Sequence, residues 1–190
     1  MFTDSLPKND RLRSEYLRSD ALCSLALPAD DRFRTPAKCI EEALSTEQCA
    51  CVRKACLEFM TAAATFYGVS RPQVRVLAAR PLRVREDGWG TELFGDYQPQ
   101  QKLIRIWMRT AVQKRVTSFG TFLSTLCHEF CHHLDCERFG FRETPHTRGF
   151  YERTAALYHH ARSTTAKRLF WAPLPKGRWR IDWPRTNRGG

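Results

Sequence analysis

At 190 residues, 42% of them apolar, the chain can build one domain with its own core and some tail. No apolar run approaches the roughly 20 residues that cross a membrane, and the start, MFTDSLPKND, carries no apolar signal segment, so a soluble cytoplasmic protein with its eight cysteines reduced and no membrane partner is expected. The formal charge of +11 is large for this size and points to an acidic partner such as nucleic acid.

Residues 1–36 are polar, broken by proline and without a sustained period, and read as a loose N-terminal arm. From Ser45 a capping box, Ser45 with Gln48, is expected to open a helix in which Cys49, Val52, Cys56, Met60, Ala63 and Tyr67 recur three and four apart and which Gly68 closes. It serves as a scaffold packed on a sheet. After Arg71 and Pro72 the period changes to two. Val74 and Val76, then Leu82 and Val84, read as strands, followed by a turn at Asp87 and Gly88. TELFGDY, a turn at Gln98 to Gln101 and KLIRIWM then form a hairpin. Its second arm places Leu103 and Trp107 on one face and Ile104, Ile106 and Met108 on the other. An exposed edge on that arm is suited to holding a peptide in extended form.

The chemistry is concentrated in SFGTFLSTLCHEFCHHLD, Ser118 to Asp135. Phe119, Phe122, Leu123, Leu126, Cys127, Phe130 and Leu134 draw one apolar stripe along a helix that Thr117 or Ser118 can cap. His128 and His132, four apart, stack on a face away from that stripe and can grip one metal ion, with Glu129 beside them as general base. His133 points back to the apolar side and reads as a packed histidine. Cys127 faces the core; Cys131 is open to packing, metal binding or redox pairing.

Beyond a loop with Gly140 and Pro145, GFYERTAALYHHA reads as a third helix with Phe150, Ala155, Leu157 and Tyr158 as burial candidates. A catalytic zinc needs a third protein ligand. His146 leads, placed where a turn feeds this helix, with Glu143, Glu152, Asp135, His159 and His160 as competitors. Asp135 is also expected to orient a ligand ring by a hydrogen bond, with Tyr151 and Glu152 as further neighbours of the site. Arg142, Arg148 and Tyr151 are candidates to assist an oxyanion.

The motifs from Thr91 to Tyr158 resemble, in the same order, the SprT-like zinc metalloproteases, the family that includes the Spartan proteases. A glycine-bearing hairpin (Gly95 and Tyr97, then Ile104 and Ile106) precedes LSTLCHEFCHHLD, and His146 is followed four residues on by Phe150 in PHTRGFY. Thr147 stands where members commonly have glycine, and no cysteine follows Cys136 to build the zinc ribbon of some members. The resemblance implies an α+β, zincin-like fold: a small mixed sheet with an edge hairpin, packed on a scaffold helix and an HExxH helix, over residues 37–160. It implies one Zn2+ on His128, His132 and His146, Glu129 as base, and peptide hydrolysis with nucleic-acid-bound proteins as candidate substrates.

In the basic tail, residues 161–190, eight basic residues face Asp182 alone, for a net +7. Trp171, Trp179 and Trp183 alternate with Arg168, Arg178 and Arg180, a composition suited to stacking on bases and neutralising phosphates, or to a strand packed on the domain. Two alternatives stand beside the peptidase reading. One is a non-catalytic nucleic-acid-binding protein with a structural zinc closed by a fourth ligand such as Asp135 or Cys131. The other is an ImmA/IrrE-like regulatory peptidase with an acidic third ligand.

Overall fold

A computed structural model describes residues 1–84 and 90–189, which leaves the turn expected at Asp87 and Gly88 outside the described residues. Over these described residues the chain is α+β, with six α-helices, a three-stranded sheet and two small two-stranded ribbons. Helices α1 (Asp10–Ala21), α2 (Arg34–Ser45) and α3 (Cys49–Tyr67) come first. Strand β1 (Gln73–Ala79) then pairs in parallel with β5 (Leu103–Arg109), with Val74 opposite Ile104. On the other side of β5 lies the antiparallel β4 (Gly95–Gln98), with Tyr97 opposite Ile104. Strands β2 (Leu82–Val84) and β3 (Gly90–Glu92) form a separate ribbon.

One core joins the sheet to α3 and to α4 (Phe119–Leu134). Val52, Cys56, Met60 and Ala63 of α3 meet Ile104, Ile106 and Met108 of β5, with Phe122, Leu126 and Phe130 of α4 in the same cluster. Each valine, isoleucine, leucine, methionine or phenylalanine among them contributes about 1.5–3 kcal/mol on burial, so α4 is anchored along its apolar stripe and can present its other face. Gly68 ends α3 in the left-handed conformation, as its position predicts.

Three expectations are corrected. TELFGDY is divided: Glu92 belongs to the small ribbon and only Gly95–Gln98 pair with β5. Strand β5 is therefore central, and the edge is β4. The capping box at Ser45 does not form, since Ser45 is the last residue of α2 and its hydroxyl donates to the Glu42 carbonyl. The N-terminal segment is not a loose arm, because it carries α1, and α1 packs on α5 (Arg148–Ala161). The face that α1 buries is polar, comprising Glu15, Tyr16 and Ser19, so no apolar period announces it.

The basic tail is likewise folded onto the domain. Strands β6 (Trp171–Leu174) and β7 (Arg178–Ile181) form a ribbon, and the N-terminus lies along β7: Thr3 N donates to the Trp179 carbonyl at 2.8 Å and Ile181 N to the Met1 carbonyl. Helix α6 (Trp183–Arg188) follows. No helix among the described residues is long and apolar enough to cross a membrane.

Candidate metal centre

Helix α4 starts where Ser118 caps it, its hydroxyl accepting from Thr121 N. Ten residues on, His128 leaves the apolar stripe, and one turn later His132 stacks beside it with the two Nε2 atoms 3.1 Å apart. The third imidazole comes from the loop before α5: His146 Nε2 lies 3.1 Å from His128 Nε2. All three ligand atoms fall within 4.8 Å of one another, close enough to hold one metal ion, and no fourth His, Cys, Asp or Glu atom joins the group among the described residues. Phe150, fully buried, underlies all three rings, with its own ring 4.5 Å from His132 and 4.9 Å from His128.

The ligand rings are oriented from behind. His132 Nδ1 donates to Thr144 Oγ1 at 2.6 Å, and that hydroxyl donates to Asp135 Oδ2, leaving the Nε2 lone pair towards the cluster. Asp135 thus acts through Thr144 rather than directly on the ring. Its other oxygen accepts from Arg153 at 2.7 Å. Both members of that ion pair are buried. Burial pushes the Asp135 carboxyl up to about 6, against the pull of Arg153.

His146 is clasped by Asp4. His146 N donates to Asp4 Oδ2 at 2.8 Å, Asp4 N donates to the His146 carbonyl at 2.8 Å, and Oδ2 lies 3.5 Å from Nδ1. Burial works to raise the Asp4 carboxyl, but its bonds to His146 outweigh that and hold it below the ordinary value. Helix α1 secures the rest of the loop. Glu15 accepts from Glu143 N, Ser19 pairs with Thr147, and Asp20 holds both the backbone and the guanidinium of Arg148. Thr147 itself caps α5, accepting from Phe150 N. Capping is a role that glycine and threonine share, which accounts for threonine at this position.

Burial, and then the neighbouring His146, lowers the His128 imidazole to about 3, and burial drives His132 in the same direction. Both rings are neutral, the form that binds metal. Glu129 is 5% exposed, and burial followed by the charge of Asp96 raises its carboxyl to about 8. A divalent cation on the histidines acts the other way and favours the carboxylate. Strand β4 crosses directly above: a Cβ on Gly95 would lie 2.7 Å from Thr125 Cγ2 and 3.0 Å from Glu129 Oε1. A cavity of about 360 Å³ opens here between Gly95, Tyr97, Glu129 and the three histidines.

Comparison of the chain with protein-family models, with curated proteins and with solved structures finds no match. The site therefore rests on its own geometry.

Most competitors for the third position are elsewhere. Glu152 accepts from the Trp171 indole, and His159 pairs with Thr164, while His160 lies against Phe33. Glu143 lines the cavity without joining the cluster. Tyr151 stacks on His146 but donates its hydroxyl to the Phe2 carbonyl, and Arg148 is paired with Asp20, so both oxyanion candidates are engaged. Arg142 lies apart, beside Arg11 and Arg18. His133 is packed as expected, between the Tyr97 hydroxyl and the Ser70 carbonyl. Cys127 and Cys131 are both buried and free. Of the tail residues, Trp171 and Trp179 are half-buried, the latter under the Arg148 guanidinium, and Arg178 is half-buried too, while Arg168, Arg180 and Trp183 are exposed. Asp4, Thr144 and Arg153 are absent from the expected set. Only their types, short polar or cationic and near the motif in space, are suggestive after the fact.

Proposed function

We propose that the chain is a zinc-dependent metallopeptidase of the SprT-like, zincin kind. The observation that carries this reading is the convergence of three imidazoles beside a buried carboxyl, under a sheet edge, with no fourth ligand among the described residues. Tetrahedral zinc with bonds of about 2.0–2.1 Å separates its nitrogen ligands by about 3.3 Å, and the observed 3.1 Å spacings fit that donor set. An open fourth position favours a catalytic over a structural ion, and histidine in the third place disfavours the reading with an acidic ligand.

His128, His132 and His146 would hold the ion. When bound, zinc supplies Lewis acidity, polarising a carbonyl and making water acidic enough to lose a proton near neutrality. Glu129 would act as the general base that accepts a proton from the attacking water and returns it to the leaving amine. Strand β4 orients the substrate. Trp107 N donates to the Phe94 carbonyl, so Phe94 and Asp96 face β5 while the N–H and C=O groups of Gly95 and Tyr97 point to the open edge, available to an extended peptide.

The test is Glu129→Gln with zinc content measured alongside proteolysis of an unfolded protein substrate. Zinc should stay stoichiometric while the rate falls about 10²–10⁴-fold; full activity would overturn the reading.

A further inference from the structure

A groove of about 970 Å³ shares His128 and Glu129 with the metal site and runs from them along the N-terminal half of α4. Its floor is made of small residues: Gly120, Thr121, Ser124 and Thr125 lie on the open face of the helix leading to His128. Its rim carries charged groups, Glu41, Glu92 and Arg162, and two exposed aromatics. Phe94, 41% exposed, stands beside β4 with the Arg80 guanidinium 3.8 Å from its ring, and Trp183, 43% exposed, stands opposite at the start of α6. Past Trp183 the groove meets a second cavity of about 490 Å³ between α5 and α6, with Met1, Ser124, Tyr158, Arg162 and Trp183 common to both.

The occupant follows from the strand above. A Cβ on Gly95 would point at Thr125 and Glu129, so the Gly95 position faces α4. Residues directly opposite in paired strands project to the same face. A peptide residue paired with Gly95 therefore sends its side chain to the α4 side of the strand, beyond Gly95 and into the groove that Phe94 and Trp183 also line.

We infer that this groove is a specificity subsite for a bulky apolar side chain, aromatic or long aliphatic, of an extended peptide substrate, with Phe94 and Trp183 as the discriminating residues. The inference rests on the peptidase reading and gives Trp183 a substrate-facing role in place of base stacking.

Binding and cleavage are tested separately. The zinc-loaded Glu129→Gln protein is titrated, by fluorescence anisotropy, with labelled peptides that differ only in Phe, Leu or Ser at one central position. The Phe and Leu peptides should bind about tenfold or more tighter than the Ser peptide. Trp183→Ala in the same background should remove most of that preference. Phe94→Ala, on the opposite wall and away from α6, should do the same, with circular dichroism and zinc content unchanged in both. Equal affinity for all three peptides, or a preference that survives both substitutions, overturns the assignment. Selective binding without cleavage by the wild-type protein instead overturns the peptidase reading and leaves the groove assigned.

Discussion

Gly95 shows how closely one residue controls the site. Its φ is not in the left-handed region, so the need for glycine is spatial: any side chain would meet Thr125 and Glu129. Gly95→Ala should cost about 1–3 kcal/mol of stability in urea denaturation and, on the proposed peptidase reading, lower turnover by moving Glu129 while zinc still binds. Asp4 makes the complementary case. Asp4→Ala removes the clasp on His146 while leaving all three ligands in the chain, and zinc affinity, read by competition with a chromogenic chelator, should fall about 10–100-fold. An unchanged affinity would show that His146 is held by α5 and the loop alone.

Among the elements, α1 and α5 approach each other closely. A Cβ on Gly149 would sit 2.2 Å from the Ser19 carbonyl and under 3 Å from those of Asp20 and Leu22, so the end of α1 rests on the backbone of α5. Arg153 closes the contact, donating to the Ser19 and Leu22 carbonyls at that helix end and to Asp135. Arg153→Leu strands a buried carboxylate and should destabilise the fold by about 3–5 kcal/mol, measured by urea denaturation. Asp135→Asn combined with it should recover part of the loss. These two helices also mark where sequence reasoning reached and where it stopped. Helix α4 and its ligand face were legible because the apolar stripe from Phe119 to Leu134 is set by burial, and burial leaves a period. Helix α1 was illegible because its inward residues, Glu15 and Ser19, are buried by hydrogen bonding, which leaves none. Helix α2 has the period in Ala37, Ile40 and Leu44 but went unread, and the Ser45 and Gln48 signal drew the start of α3 a few residues early. His146 was found by its place ahead of α5. Asp4, far away in sequence, had no local signal.

For the molecule as a whole, the thiols offer a direct check on the packing. Burial raises Cys131 to about 12 and moves Cys56 and Cys127 further up, whereas Cys23 and Cys51 are exposed. Titration with a disulfide reagent at pH 8 should modify Cys23 and Cys51 first, with Cys56, Cys127 and Cys131 reacting only on unfolding. The +11 charge makes a separate prediction. Any binding to duplex DNA should weaken linearly with log salt, and replacing exposed Arg168, Arg185 and Arg188 by alanine should reduce that slope by about 3 if each contacts a phosphate. Finally, Thr3 is hydrogen-bonded to Trp179 across 176 residues of chain, one residue before Asp4 takes hold of His146. Contacts of such separation form late. A polypeptide emerging from the ribosome would already carry the HExxH helix but lack the neighbour that Thr3 needs until residue 179 is made, so the grip of Asp4 on His146 would be secured only after that point.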